Sequence, residues 1–251
     1  MKKTIVIGPA TGWLYAKKMY SLIDQKFILE EAGANGVEVS FLPEWFSAEN
    51  LNRMCSIPNF SKIFEAQNFL HRSVHLPVVN NQKIKLQIAI TQKFVAYCNA
   101  TVALTHPLKV KGCYPIKSYE KMISKGIPLA IENMDSNKES GFKIEELERL
   151  IQLVPRFVLD VQHAFERDLT MEYAFDLFNA VKDKLVYLHV SGETEDNHHA
   201  LVYQSRNCDK IISFLGTIFS EIEIPIILEG RYSTLKELNQ EISFLIKEIT
   251  N

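Results

Sequence analysis

Short β-branched and aliphatic runs recur along the chain: TIVIG (4–8), GVEVSFL (36–42), SVHLP (73–77), TVALT (101–105), PLAIE (128–132), RFVLD (156–160), KLVYLHV (184–190) and PIILE (225–229). Most are continuously apolar rather than alternating, which is the pattern of parallel strands covered on both faces. Between them, KIFEAQNFLHR (62–72), KIEELERLIQLV (143–154), MEYAFDLFNAVKDKL (171–185) and LKELNQEISFLIKEI (235–249) place apolar residues at i, i+3 and i+4 and are predicted helices. Strand starts follow one another at the spacing of a strand, a helix and two turns. That beat, held through eight strands, predicts an α/β fold: one single-domain (β/α)8 barrel spanning residues 1–251. A doubly wound open sheet is the competing architecture. It usually shows a glycine-rich phosphate turn after the first strand, and IGPATG (7–12) is a poor match for one.

Composition changes this picture little. The 251 residues are 47% apolar, enough for a large core, and carry a formal charge of −2. Near-neutrality leaves nucleic acid open, since a basic groove can sit on an acidic remainder. No apolar run approaches the ~18–20 residues of a membrane span, and MKKTIVIG is shorter than a signal peptide requires, so a cytoplasmic protein without membrane contact is expected. Cys55, Cys98, Cys113 and Cys208 are scattered with no CxxC pair and are read as reduced thiols.

In a barrel of this kind the reactive groups belong at the C-terminal strand ends, where the loops converge on one mouth. There the sequence puts His75, His106, Glu132, Asp160 with His163, His189, then Asp196, His198 and His199 in the loop after the seventh strand, and Glu229. Of the seven histidines, six fall on this rim; the other, His71, is expected on the preceding helix. Singly, each has a plain structural reading: a hydrogen-bonded strand-end histidine, a rim acid, or a helix cap at Asp160. Together, so many acids and imidazoles at one mouth need cations to neutralise them. Imidazole and carboxylate are the ligand set for zinc and other first-row divalent metals.

The order His (third strand), His-Pro (fourth), Glu-Asn (fifth), Asp-x-x-His-Ala-Phe (sixth), His (seventh), Asp-x-His-His-x-Leu (next loop) and Glu (eighth) resembles endonuclease IV. That family comprises trinuclear-zinc apurinic endonucleases within the xylose-isomerase-like barrel superfamily. LDVQHAF (159–165) and DNHHAL (196–201) are the most specific matches, and the likeness spans the third to eighth strands. The resemblance implies two to three divalent metals, zinc foremost, with manganese or iron accepted by the same ligands. His75 and His106 would hold the first, and Glu132 would bridge it to the second and serve catalysis. Asp160, His189 and Glu229 would complete the second, and His163, Asp196 and His198 would hold the third. His199 and Arg231 would contact substrate. The implied activity is metal-dependent phosphodiester hydrolysis.

The likeness thins at the loops that would grip DNA. LPVVNN (76–81), HPLKVKGCY (106–114), ENMDSNKESG (132–141) and Ser191-Gly192 depart from the family's pattern. The expected substrate is therefore abasic DNA or, equally, a smaller phosphodiester, as in the cobamide-remodelling phosphodiesterases of the superfamily. The alternative is a single-metal sugar or sugar-phosphate isomerase or epimerase using Glu132, Asp160, His189 and Glu229, with Arg231 near substrate. Such an enzyme has no need of His75, His106, Asp196 and His198 together, so hydrolysis leads. A non-catalytic binding module ranks last, for want of a long basic stripe. Trp13, Tyr15, Trp45 and Phe46 follow the first two strands, where they can wall the mouth or pack between loops. Lys109, Lys111 and Lys117 are read as a solvated basic loop. Glu38, inside the second strand, is read as a hydrogen-bonded acid of the barrel interior.

Overall fold

Because each apolar run is only a few residues long and is followed by a helical segment, each strand can pair only with strands distant in sequence. A computed structural model of the chain describes residues 4–41, 63–79 and 81–250 and shows that pairing. β1 (Ile7–Pro9) leads through α1 (Gly12–Ala16) and α2 (Leu22–Glu31) to β2 (Gly36–Ser40). β3 (His71–His75), α3 (Ile84–Tyr97), β4 (Val102–Thr105), α4 (Ile116–Ser124) and β5 (Leu129–Glu132) follow. The remainder runs α5 (Ile144–Ile151), β6 (Phe157–Asp160), α6 (Val161–Arg167), α7 (Glu172–Val181), β7 (Leu185–Val190), α8 (Cys208–Glu221), β8 (Ile226–Leu228) and α9 (Leu235–Thr250).

All strand pairs are parallel, in the order β1-β8-β7-β6-β5-β4-β3-β2. The seam between β1 and β2 is held more sparsely, by Thr11 N–H donating to Glu38 O (2.8 Å) and Asn35 N–H to Ile7 O (3.0 Å). Glycine allows that approach: a Cβ on Gly8 would fall 1.7 Å from the Gly36 carbonyl oxygen. The result is the expected eight-stranded (β/α)8 barrel.

The continuous apolar strands conceal a two-residue alternation. Val37, Val39, Val74, Ile131, Leu159 and Leu188 pack outward in the large core beneath the helices. Ala10, Val102, Leu104, Ala130, Val158, Tyr187 and Ile227 form a second, smaller cluster inside the barrel. An irregularity opposite β6, where Phe157 pairs with Leu185 but Val158 with Tyr187, resets β7 so that Tyr187 and His189 both belong to the interior set.

The helix predicted over 62–72 is not formed: residues 63–70 are turns and bends, and Lys62 lies outside the described residues. His71 and Arg72 instead extend β3, pairing with Gly36 and Val37. The apolar spacing there is satisfied by Phe64 and Phe69, which are buried edge to face at 5.1 Å. Arg72 locks the strand start by donating to Asn99 O (2.8 Å) and to Phe69 O. His71 is therefore a buried strand residue, beside Ser73 and tilted against Tyr187 at 4.7 Å. Cys98, Cys113 and Cys208 are free thiols, and Cys55, Trp45 and Phe46 lie outside the described residues. Among the described residues, no helix is long and apolar enough to cross a membrane.

Candidate metal centre

The interior alternation carries side chains at the strand ends into one cluster. At its first corner, His75 Nε2 and His106 Nε2 are 3.0 Å apart, and Glu132 Oε1 stands 2.7 Å from His106 Nε2 and 3.8 Å from His75 Nε2. At a second corner, His189 Nδ1 faces three carboxylates: Glu132 Oε2 at 3.0 Å, Glu229 Oε1 at 3.5 Å and Asp160 Oδ2 at 3.9 Å. His163 Nδ1 joins from α6, donating to Asn133 O at 3.0 Å and lying 3.4 Å from Asp160 Oδ2. The two oxygens of Glu132 thus face different corners. His75, His106 and Glu132 offer ligand atoms within 4.8 Å of one another, and so do Glu132, Asp160 and His163.

Local structure explains why these positions hold. Asn133 and Asp160 clasp the ends of β5 and β6 reciprocally, Asn133 Nδ2 donating to Asp160 O and Asp160 N–H to Asn133 Oδ1, both at 2.8 Å. Asp160 Oδ1 caps α6 by accepting the His163 N–H at 2.7 Å. The plain reading of Asp160 as a helix cap is correct for one oxygen. Its other oxygen, Oδ2, is buried without a hydrogen-bond partner, and so is Glu132 Oε1. His106 Nε2 stands 2.7 Å from the latter and holds the pKa of that carboxyl down by charge. Two orphaned carboxylate oxygens among imidazole nitrogens are costly unless a cation satisfies them. The donor set of carboxylate oxygen and imidazole nitrogen fits a divalent metal.

The electrostatics agree. Burial opposes ionisation of Glu132, but His106 and His189 outweigh it and hold the carboxyl well below the usual range. Burial likewise would lower the His189 and His75 pKa values, yet both are raised, His189 chiefly by Glu229 and Glu38, and His75 chiefly by Glu38. Asp160 is pushed up to about 7 by burial, with Glu229 and Glu132 adding to the rise. His163 is raised to about 9, Asp160 overcoming the effect of burial. So much carboxylate charge in a closed space draws protons onto its neighbours, and a metal ion would take their place.

The loop after β7 behaves differently. Gly192 and Ala200 pair antiparallel, N–H to O in both directions at 2.8 and 2.9 Å, and close residues 193–199 into a small loop. A Cβ at Gly192 would meet Ser205 Cβ at 2.3 Å, so this closure needs glycine there. The loop turns His199 inward, with Nδ1 3.3 Å from Ser191 Oγ and 4.0 Å from Glu229 Oε2. It turns His198 outward: its side chain is 60% exposed and pairs with Glu166 (3.3 Å) and Glu193 (3.2 Å), not with His163. Asp196 is exposed. The structure therefore brings His75, His106, Glu132, Asp160, His163, His189 and Glu229 together and leaves Asp196 and His198 apart from them.

Glu38 has a larger part than its position in mid-strand announces. It is fully buried beneath the cluster, with Oε1 3.2 Å from His75 Nδ1 and 3.1 Å from His189 Nε2. Ser73 Oγ donates to its Oε2 at 3.2 Å, and the Tyr187 hydroxyl donates to the same oxygen. The reading of Glu38 as a hydrogen-bonded interior acid is thereby correct. That its partners are site histidines becomes visible only once the strands are paired.

Beside Glu229 lies a cavity of about 450 Å³, bounded by Trp13, Lys17, His199, Arg231 and Tyr232. Trp13 packs edge to face on Tyr232 at 5.3 Å, and Lys17 Nζ lies 5.0 Å from the indole centroid. Arg231, whose N–H donates to His199 O at 3.1 Å, stands on the exposed rim. Tyr15 is instead buried, its hydroxyl donating to Ser40 O at 2.6 Å. Lys109 pairs with Glu146 at 3.0 Å.

No family model matches the chain, and no curated protein matches it by sequence. Solved structures do match in fold. A D-tagatose 3-epimerase-like protein superposes with a TM-score of 0.67 at 14% identity, covering 98% of this chain and 97% of that one. A sugar phosphate isomerase/epimerase from Parabacteroides distasonis ATCC 8503 gives 0.58 at 14% identity, with 99% and 96% covered. SacUVDE gives 0.55 at 14%, with 88% and 84% covered. At such identities the likeness is one of fold. It supports the barrel architecture and does not single out endonuclease IV.

Proposed function

We propose that the chain is a metal-dependent phosphodiester hydrolase with a centre of two divalent ions, zinc foremost, bridged by Glu132. The observation that carries this reading is the divided carboxylate of Glu132, with Oε1 toward His75 and His106 and Oε2 toward His189. A single-metal enzyme would have no use for the first pair. Metal held there supplies Lewis acidity toward a phosphoryl oxygen and lowers the pKa of water. His75, His106 and Glu132 define one position, and Asp160, His189 and Glu229 with Glu132 the other. His163, whose Nδ1 donates to Asn133 O at 3.0 Å, holds its proton 3.4 Å from Asp160 Oδ2. His199, at the edge of the cavity, would contact the phosphate.

The cavity favours a small phosphodiester over a DNA duplex. About 450 Å³ is the size of a small-ligand pocket, and Lys17 and Arg231 give one wall positive charge for the phosphate. The assay is hydrolysis of bis(4-nitrophenyl) phosphate by zinc- and manganese-loaded protein, run beside nicking of a duplex with one abasic site. Cleavage of the chromogenic diester without nicking is expected; failure on both substrates with either metal would overturn the reading.

A second reading is favoured by the ring of Glu132, Asp160 and Glu229 around His189 Nδ1, which is by itself a complete single-metal set. The epimerase folds among the structural matches add to it. It predicts interconversion of a ketose with its epimer, unaffected by His106→Ala.

A further inference from the structure

Two of the candidate ligands, His75 on β3 and His189 on β7, stand on opposite sides of the barrel and belong to different corners of the cluster. Each has one ring nitrogen toward the cluster: His75 Nε2 toward His106 and Glu132, and His189 Nδ1 toward Glu132, Asp160 and Glu229. Each turns its other nitrogen down onto the same atom, Glu38 Oε1, at 3.2 and 3.1 Å. The second oxygen of Glu38 is occupied by the Tyr187 and Ser73 hydroxyls. A carboxylate has about four acceptor sites, and all four of these are filled by protein donors from β3 and β7. Glu38 therefore has no free lone pair to give a metal, although it lies within ligand reach of His189 and Glu229.

We propose that Glu38 is a positioning residue shared by both metal positions: one buried carboxylate keeps the proton on His75 Nδ1 and on His189 Nε2 and so presents His75 Nε2 and His189 Nδ1 as lone pairs to the two ions. The inference rests on the dinuclear reading above, in taking these two histidines as ligands of separate ions. An imidazole ligand whose distal N–H is held by a carboxylate is fixed in tautomer and ring orientation, and loss of the partner weakens metal binding about 10- to 100-fold. What is particular here is the sharing. A single substitution at a residue that ligates neither ion should weaken both positions at once.

The test is zinc titration of metal-stripped protein against a chromogenic chelator, comparing wild type with Glu38→Gln. Weakening by about 10- to 100-fold at both positions is expected. Tyr187→Phe, which removes a donor to Glu38 without touching either imidazole contact, should weaken zinc binding less than Glu38→Gln does. Wild-type affinity in Glu38→Gln, even with a lowered melting temperature, would mean the carboxylate is merely structural and would overturn the inference. Weakening at one position alone would overturn the sharing. Should Glu38→Gln not fold, long-range ¹H–¹⁵N spectra of the zinc-loaded wild type decide: retained protons on His75 Nδ1 and His189 Nε2 support the inference, and the opposite assignment defeats it. A wild type that binds no zinc would instead defeat the metal reading itself, a failure distinct from the others.

Discussion

Two groups of polar side chains meet the barrel mouth on different terms. Those on β3, β5, β6 and β7 are set by the parallel ladder: His75 pairs in register with Leu104, and Asp160 with His189. Fixing one strand fixes its neighbours, and their nitrogens and oxygens end within about 3–4 Å of one another. The residues between Gly192 and Ala200 are set by their own closing bridge and turn and by a few ties to neighbouring loops, such as Glu193 N–H donating to Asn207 Oδ1 and Arg231 N–H to His199 O, and His198 and Asp196 face solvent. A ligand carried by a strand end is held by the whole sheet, and a ligand carried by a loop is held by the loop.

The largest effect should come from breaking the strand-borne group at its centre. Glu132→Gln leaves one neutral carboxamide where two corners share a carboxylate. Hydrolysis of the chromogenic phosphodiester is expected to fall at least about 100-fold, the scale of losing one preorganised electrostatic group. Initial rates at saturating zinc measure this, and a rate within a few-fold of wild type would remove Glu132 from the chemistry.

A smaller effect should appear where the loop is tied back to the barrel. Glu241 on α9 is buried and accepts the Val202 N–H at 2.6 Å and the Tyr203 N–H at 3.4 Å. Burial pushes its carboxyl up to about 7, against about 4.3 in the unfolded chain. Between those values the native state binds more protons than the unfolded state, so this group's contribution to stability is lost as pH rises toward and through 7. The slope is at most about 1.4 kcal/mol per pH unit. Urea midpoints of wild type and Glu241→Gln, taken from pH 5 to 7.5, should converge or cross because wild type alone loses this contribution. Parallel profiles would show that the shift is absent.

The smallest effect is expected at the exposed loop itself. His198→Ala should leave zinc affinity within about threefold of wild type and stability within about 0.5 kcal/mol, as for an exposed surface position. A tenfold loss of affinity would mean that His198 swings onto the cluster when metal binds, and the contrast between loop and strands would fail.

This contrast also explains what the sequence disclosed. Most strands were visible as apolar runs, because burial on both faces favours apolar side chains, and the strand-end acids and histidines followed by simple counting. The helix expected over 62–72 failed because its apolar spacing serves equally well for Phe64 and Phe69 buried in turns, while β3 captured His71 and Arg72. Glu38 was legible as an interior acid, but its tie to two site histidines depends on sheet closure, which brings β7 across from β2. The directions of His198 and His199 depend on the Gly192–Ala200 bridge and on the space that Ser205 leaves at Gly192, neither of which has a periodic signature.

The central claim, that Glu132 joins two metal positions, is tested most directly by counting metal. Protein purified without chelator should carry two divalent ions per chain by inductively coupled plasma mass spectrometry, and His106→Ala should carry one. One ion in wild type, unchanged in His106→Ala, would contradict the account and leave the single set around His189 as the functional centre.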